Sequence, residues 1–204
     1  MAVVNQLEFN LGYGTPLSSV QAGGSSEKQG AKGDAWSADF LHQAGPNVYF
    51  GLGGGQFRSH DHVSETFASN ALSTITSKTT TIFFLTRTDL GPPARMVPYL
   101  IAGIGWVKNT LSVTATPSTT WSNTGTSEQR TFLNDSLDTV GYASGIGLDY
   151  PISDRLYFGI EARYQGSLKR TYTLNSEGQT ATGQSNIQTP VNVFLLGLKA
   201  GIKY

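Results

Sequence analysis

Residues 156–168, LYFGIEARYQGSL, alternate so regularly between apolar and polar positions that they predict a β-strand with two unlike faces. Every second residue from Leu156 to Leu168 is apolar or small, whereas the other face carries Glu161 and Arg163. Burying either charge alone costs roughly several kcal/mol, so the second face is not a dry core. At about 3.3 Å per residue and a tilt of about 40°, the segment spans about 30 Å, the thickness of a bilayer's hydrocarbon core. The pattern therefore predicts a membrane-spanning strand with lipid outside and a polar lumen inside.

Seven further segments show the same period of two, although Phe83 and Leu85 weaken the alternation in one of them. The eight predicted strands cover residues 7–14, 36–43, 48–57, 80–90, 97–108, 140–150, 156–168 and 194–204. Four long stretches rich in Gly, Ser, Thr and Asn lie between them and are predicted to be irregular loops: residues 15–33, 59–78, 109–137 and 169–188. The three remaining connections, 44–47, 91–95 and 151–155, are short.

Long and short connections alternate along the chain, which favours antiparallel neighbours with all long loops at one end of the sheet. The predicted fold is all-β, an eight-stranded antiparallel up-and-down transmembrane β-barrel, formed by residues 1–204 as a single domain. Aromatic residues fall near both ends of the predicted strands, as expected for two membrane interfaces. Those near the long loops are Tyr13, Trp36, Trp106 and Tyr164, and those near the short turns are Tyr150 and Tyr204.

Composition excludes several other classes of protein. The formal net charge is zero and only 14% of residues are charged, which gives no electrostatic reason to expect a nucleic-acid partner. Without cysteine there is neither a disulfide nor a thiolate metal site. A soluble barrel of the lipocalin type needs apolar residues inside, whereas Gly, Lys and Glu dominate the presumed inner face here.

Four segments resemble the small outer-membrane β-barrel family of bacteria, the opacity-porin and surface-antigen-like group that shares its architecture with the OmpA transmembrane domain. They are NVYFGLGGG at 47–55, VPYLIAGIGW at 97–106, VGYASGIGLDYPISDRLYFGIEARY at 140–164, and the last strand, which ends on Tyr204 where Phe is more usual. The resemblance implies a Gram-negative outer membrane, a lipopolysaccharide-containing bilayer, and recognition of the last strand by the outer-membrane insertion machinery. The start of the chain shows no signal peptide, so we expect this to be the mature form with an added Met.

The resemblance does not fix one activity, because a fold of this kind carries many functions. We expect a monomer without cofactor that acts through its extracellular loops in surface interaction or adhesion and in membrane structure. The loops would then contact a host or surface ligand. The alternative is a narrow porin or a transporter of small solutes, including hydrophobic ones.

Charged residues on the predicted inner faces nearly balance. They are Glu8, Asp39, Asp149 and Glu161 against Arg87, Arg163, Lys199 and Lys203, with Asp89 near the short-turn rim. The interior of an eight-stranded barrel is just wide enough for side chains to fill it, so these residues predict a salt-bridged plug. A gate in which Glu8 or Glu161 changes partners is the functional alternative.

Residues 59–62, Ser-His-Asp-His, hold the candidate ligands and nucleophile. His60 and His62 would share one face of a strand, but a third metal ligand would have to come from elsewhere, so a solvated loop is favoured over a metal site. Ser59 and His60 are adjacent and point to opposite faces of a strand. No nucleophile, base and orienting group converge, and we therefore expect no enzymatic activity.

Overall fold

The computed structural model describes residues 4–22, 25–68, 71–91, 96–117 and 129–204. In chain order the elements are β1 (Asn5–Pro16), β2 (Ser19–Ala22), β3 (Ser25–Lys28), β4 (Gly33–Gly45), β5 (Val48–Ser59), β6 (His62–Ala68), β7 (Ala71–Asp89), β8 (Val97–Pro117), β9 (Arg130–Pro151), β10 (Leu156–Ser167), β11 (Arg170–Thr173), α1 (Ser176–Thr182), β12 (Asn186–Thr189) and β13 (Asn192–Lys203). No helix within these ranges is long and apolar enough to cross a bilayer.

Eight of these strands form a closed antiparallel barrel. Their order around the wall is β1, β4, β5, β7, β8, β9, β10 and β13, and β13 pairs again with β1. Closure depends on β5, which pairs with β4 on one side and with β7 on the other. The predicted eight-stranded up-and-down barrel is confirmed, and each predicted strand lies within or overlaps one of the eight.

The outer surface of the barrel is an apolar belt. Large apolar side chains at alternate positions are exposed on every strand, including Leu11 on β1, Ile104 on β8 and Leu198 on β13, which is 71% exposed. Exposed apolar area of this extent is not tolerated by a soluble monomer in water. It is the surface that a membrane barrel presents to lipid, with the alternate residues facing the lumen.

The prediction of irregular long loops is wrong for most of the residues concerned. The strands β7, β8 and β9 are 19, 21 and 22 residues long, about twice the 9–11 residues needed to cross a bilayer. Residues 71–79, 109–117 and 130–139 therefore continue the barrel wall beyond the membrane instead of leaving it as loops. The Ser and Thr content that suggested flexibility is compatible with strands, because β-branched Thr fits a pleated surface well.

The other predicted long loops also contain regular structure. In the first, β2 and β3 form a short antiparallel pair, and in the fourth β11 pairs with β12 around helix α1. Asn175 caps this helix by accepting a hydrogen bond from the Gly178 amide at 2.8 Å. Four expected connections fall partly outside the described residues. The residues concerned are 23–24 in the first long loop, 69–70 in the second, 92–95 in a short turn and 118–128 in the third long loop.

Candidate functional site in the lumen and the cap above it

Arg87 lies at the centre of a buried ion-pair network in the half of the lumen near the short turns. Its guanidinium donates to Asp89 at 2.8 Å and to Asp149 at 2.7 Å, and it also pairs with Glu8. The Tyr99 ring lies 3.9 Å from the guanidinium carbon, close enough for a cation–π contact. With 1% of its surface exposed, Arg87 depends on these partners to offset the loss of hydration.

Glu8 connects Arg87 to a second buried cation. Its Oε1 accepts from Lys199 Nζ at 3.1 Å and from the Tyr157 hydroxyl at 2.7 Å. Lys199 also lies 2.8 Å from Asp149 Oδ1, so Arg87 and Lys199 share both carboxylates. Removal of one cation would leave two acids with a single remaining counter-ion.

Arg163 organises the other part of the network. It donates from Nε to Glu161 at 2.7 Å and pairs with Asp39, while Glu161 also accepts from the Tyr99 hydroxyl at 2.7 Å. Tyr99 thus contacts both parts, through its hydroxyl on one side and its ring on the other. The two halves form one connected set across the lumen.

Glycines opposite the large inward side chains make room for them. A Cβ at Gly147 would lie 2.2 Å from the Tyr99 ring, and one at Gly53 would lie 2.2 Å from an Asp39 oxygen. Both glycines are the direct cross-strand partners of those residues. The Gly-rich inner face noted in the sequence is therefore the complement of the network, since it leaves the lumen space that the charged and aromatic side chains fill.

The structure brings together seven of the eight predicted lumen charges, leaving Lys203 apart. Lys203 is half-buried, and its ammonium lies 5.4 Å from the Tyr157 ring centre. Asp89 belongs fully to the network, and Tyr99 and Tyr157 are members that the charge pattern did not indicate. Their inward positions follow from strand alternation, but nothing in the sequence shows that their hydroxyls reach carboxylates on other strands.

Apolar side chains fill the middle of the lumen beside this network. Residues Leu41, Tyr49, Phe83, Leu85, Tyr99, Ile101, Val107 and Ala143 form one buried cluster. Phe83 and Leu85, which break the expected alternation, are both completely or almost completely buried there. The lumen therefore holds an apolar cluster of side chains beside the ion-pair network.

A second apolar core lies above the network at the long-loop end, where it forms what we term the cap core. Its buried members are Val20, Ile75, Leu111, Val113, Ala115, Phe132, Leu133, Tyr172, Leu174 and Ile187. Leu111, Val113 and Ala115 continue the inward face of β8, so the extended wall encloses side chains from β11 and β12. The segments that carry this core, namely β2, β11, α1, β12 and the long-loop ends of β7 to β9, are called the cap below.

A short polar chain ties the cap to the barrel wall. Asn109 donates to the Tyr172 hydroxyl at 2.9 Å and accepts from the Thr79 hydroxyl at 2.8 Å. Burial raises the pKa of Tyr172, and the nearby Asp135 charge acts in the same direction. Tyr172 therefore stays neutral and keeps both its apolar packing and its hydrogen bond at physiological pH.

His60 and His62 do not converge on a metal site within the part of the chain that the structure describes. His60 Nε2 lies 3.2 Å from Asp34, and His62 Nε2 lies 3.2 Å from Glu27, so each histidine has its own carboxylate partner. Ser59 is buried, and its hydroxyl oxygen accepts a hydrogen bond from the Ser77 amide at 2.7 Å. His60 is exposed and lies against Asp34 instead, so the two side chains do not form a pair.

One group of three carboxylates in the described ranges comes close enough to suggest a metal. Oxygens of Glu8, Asp39 and Glu161 lie within 4.8 Å of one another. Arg163 bonds to Asp39 and Glu161, however, and Arg87 and Lys199 bond to Glu8. These acids are therefore the counter-ions of the buried cations, and the donor set does not point to a metal ion.

The six aromatics predicted at the interfaces lie on the outward face. Tyr13, Trp36, Trp106, Tyr150 and Tyr204 are exposed, whereas Tyr164 is half-buried and packs on Tyr142 with ring centres 5.9 Å apart. Their role as membrane anchors stays a prediction.

Comparison with solved structures finds likenesses that extend over the whole chain. A major outer membrane protein from Thermus thermophilus is 13% identical with a TM-score of 0.57, and 100% of both chains is covered. OprG from Pseudomonas aeruginosa is 15% identical with a TM-score of 0.54, covering 98% of this chain and 96% of its own. The outer membrane protease OmpT from Escherichia coli is 7% identical with a TM-score of 0.53, covering 100% and 98%. No protein-family model and no curated protein matches the chain.

The shared fold is that of bacterial outer-membrane β-barrels, and the exposed apolar belt is the surface that such a barrel turns to lipid. The chain therefore has the fold of the eight-stranded outer-membrane β-barrels. In that class the long loops face outside the cell and the short turns face the periplasm. The cap lies at the long-loop end of the barrel.

Proposed function

We propose that this protein presents its cap at the cell surface to bind an external partner, in adhesion or a related surface interaction, while its filled barrel anchors the cap and supports the membrane. The observation that carries this proposal is the cap core. Ten described residues with at most 2% exposure form a separate apolar core outside the bilayer. A core of that size gives the extracellular surface a defined shape, which recognition of a partner requires.

The filled lumen favours anchoring over conduction. Arg87, Tyr99, Phe57 and Lys199 are each 1% exposed, although all four point inward. A cavity of about 20 Å³ beside Glu161 and Arg163 has room for roughly one water molecule. Ion pairs and aromatic side chains thus replace the column of water that a pore would need. Solute transport is the competing proposal, and it requires these side chains to move aside.

The same proposal assigns no catalytic role to the chain. The likeness to a protease is one of fold at 7% identity, and it carries no residue over. Ser59, the nucleophile candidate, is buried and accepts a hydrogen bond from the Ser77 amide, whereas His60 is exposed. A surface-binding protein needs neither a nucleophile nor a cofactor, and its affinity would reside in exposed residues of the cap.

Shortening of the cap tests this proposal. The Ser167 amide donates to the Val191 carbonyl at 2.8 Å, so residues 168–190 can be replaced by an Asn-Gly turn without moving the barrel strands. We expect the shortened protein to insert and fold, but to lose adhesion of expressing bacteria to host cells or extracellular matrix, to the level of cells without the protein. Adhesion is measured by counting attached bacteria at matched surface expression.

A control variant alters the periplasmic turn instead, with Ile152 and Arg155 both replaced by serine. These residues are exposed at the opposite end of the barrel, so adhesion is expected to be unchanged. Adhesion at the wild-type level by bacteria that express the cap-shortened protein would contradict the proposal.

A further inference from the structure

Lys199 and Asp149 meet in the lumen over a glycine on the strand that lies between them. Gly159 on β10 pairs with Lys199 of β13 on one side and with Asp149 of β9 on the other. The three residues form one row across the inner wall, and its two outer positions are two strands, or about 10 Å, apart. A Cβ at Gly159 would lie 2.5 Å from Asp149 Oδ1. The glycine therefore leaves the space in which the lysine and the aspartate reach each other.

The ammonium nitrogen touches the carboxyl group without a hydrogen bond to its nearer oxygen. Lys199 Nζ lies 2.8 Å from Asp149 Oδ1, yet this oxygen has no hydrogen-bond partner of acceptable alignment among the described residues. The other oxygen, Oδ2, accepts from Arg87 at 2.7 Å. The carboxyl group is thus held at one oxygen, and Nζ lies one bond length from reach of its carbon, as a nucleophile must before it attacks.

A second carboxylate lies against the same nitrogen. Glu8 Oε1 is 3.1 Å from Lys199 Nζ, and Glu8 also pairs with Arg87. In the part of the chain that the structure describes, the other oxygen of this carboxylate, Oε2, is buried without a hydrogen-bond partner. Glu8 can therefore take a proton from the nitrogen and return it to a departing oxygen of Asp149.

Water is excluded from these three side chains. Lys199, Asp149 and Glu8 are 1%, 4% and 0% exposed. The ring centre of Tyr99 lies 3.9 Å from the lysine nitrogen, and that of Tyr157 lies 5.4 Å from it. Condensation of an amine with a carboxylic acid releases water, so a site closed to water favours the amide. The amide also removes two charges whose burial is costly.

We propose that Lys199 and Asp149 condense to an isopeptide bond, an amide between Lys199 Nζ and Asp149 Cγ, with Glu8 as the proton carrier. The ion pair in the structure is the state that precedes the reaction. The chain has no cysteine and hence no disulfide, whereas this bond closes residues 149–199 into a covalent loop that links β9 to β13. The inference goes beyond the proposed function and does not depend on it, because the reaction occurs once, inside the barrel, on the chain's own residues.

The steps balance in atoms and in charge. The Lys199 ammonium passes one proton to Asp149 Oδ1, which leaves a neutral amine beside a neutral acid. The amine attacks Cγ, and negative charge develops on Oδ2, where the Arg87 guanidinium stabilises it. Glu8 takes a proton from the nitrogen and delivers it to Oδ1, which departs as water while the Cγ–Oδ2 double bond forms again. One ammonium and one carboxylate thus give one amide and one water, without an oxidant or a cofactor.

The intact mass of the folded chain tests the proposal. The full chain is refolded into lipid vesicles and its mass is followed until it no longer changes, while a second sample is kept unfolded in guanidinium chloride. We expect the refolded chain to become lighter by one water molecule and the unfolded chain to keep its full mass. Trypsin should then release a branched peptide that joins residues 131–155 to residues 171–203, because an acylated Lys199 is not cleaved. Tandem mass spectrometry locates the bond within it.

Three variants assign the reacting groups. Lys199→Arg keeps the positive charge but lacks the amine, so it should keep its full mass. Lys203→Arg is the matched control on the same strand and should lose water as the wild type does, since Lys203 lies apart from the network. Glu8→Gln should lose water roughly 100-fold more slowly or less readily still, because it cannot accept the proton. Heat-modifiable migration on a gel checks that each variant has folded.

Full mass for the refolded wild-type chain would overturn the proposal, whatever the variants show. Loss of water by Lys199→Arg would also overturn it, since another pair of residues would then be responsible. Loss of water by Glu8→Gln at the wild-type rate would overturn the role given to Glu8. The masses are measured on purified protein and adhesion is measured on whole cells, so failure of this inference is distinguishable from failure of the proposed function.

Discussion

Replacement of Arg87 by methionine is expected to destabilise the folded barrel by about 3–5 kcal/mol, because it removes one member of a buried network and leaves the others charged. Glu8, Asp89 and Asp149 all pair with this guanidinium, and only Lys199 would remain for two of them. Methionine keeps much of the side-chain volume, so the loss is one of charge pairing. The free energy of unfolding is measured by urea titration in lipid vesicles, with tryptophan fluorescence as the signal.

Two further variants serve as controls that attribute the loss of stability to the ion-pair network. Arg155→Met removes an exposed arginine in a short turn and should change the free energy of unfolding by at most about 0.5 kcal/mol. Adding Glu8→Gln to Arg87→Met removes one stranded carboxylate and should restore part of the lost stability. Equal unfolding midpoints for Arg87→Met and wild type would mean that the network contributes nothing to the fold.

Phe132→Ala is expected to loosen the cap without unfolding the barrel. Phe132 is 2% exposed in the cap core, and truncation of a buried Phe to Ala typically costs about 3–5 kcal/mol. The cap core is separate from the clusters inside the bilayer, so the loss should be local. Hydrogen exchange of amides in β11, α1 and β12 should become faster by about two orders of magnitude or more, whereas amides in β1 and β13 should keep their protection.

The adjacent Thr131 supplies the control for that experiment. Its side chain is exposed on the same strand, and Thr131→Ala should leave exchange in the cap unchanged. If Phe132→Ala left exchange in the cap at the wild-type rate, the cap core would not hold the segments of the cap together. Loss of heat-modifiable migration would show instead that the cap and the barrel fold as one unit.

Strand alternation carried most of the fold prediction because it is a local property. In the last strand, Leu196, Leu198 and Ala200 share one face, and Gly197 and Lys199 share the other. These two faces can be recognised from the sequence of that strand alone, without knowing which strands pair with it. The order of the strands then followed from the alternation of short and long connections. The class of architecture was therefore accessible from the sequence.

The structured cap was not accessible in the same way, since its signals are weak or interrupted. Leu111, Val113 and Ala115 do alternate, but Ser and Thr separate them and resemble a polar loop. Phe132 and Leu133 are consecutive and both buried, because the pairing of β8 with β9 shifts register between Val113 and Thr114. A bulge of this kind removes the period of two on which the prediction depended.

Most charged members of the candidate site were predictable, whereas the tyrosine members and the connections between members were not. Inward position and charge sufficed to name Glu8, Arg87 and Arg163, but the sequence does not show which carboxylate meets which cation across the lumen. The pairing of Arg163 with Asp39 joins residues 124 positions apart. Such contacts depend on how the barrel closes and on the stagger between its strands. The alternation pattern of single strands does not specify either property.

Single-channel recording tests the central claim of a filled barrel most directly. The refolded protein, shown to be folded by its different migration before and after boiling, is inserted into a planar lipid bilayer and the current is recorded under applied voltage. A silent membrane is expected, because ion pairs and packed aromatic side chains occupy the lumen. A steady, ion-selective conductance from the folded protein would contradict the account, since Glu161, Arg163 and their partners would then form a gate and not a plug.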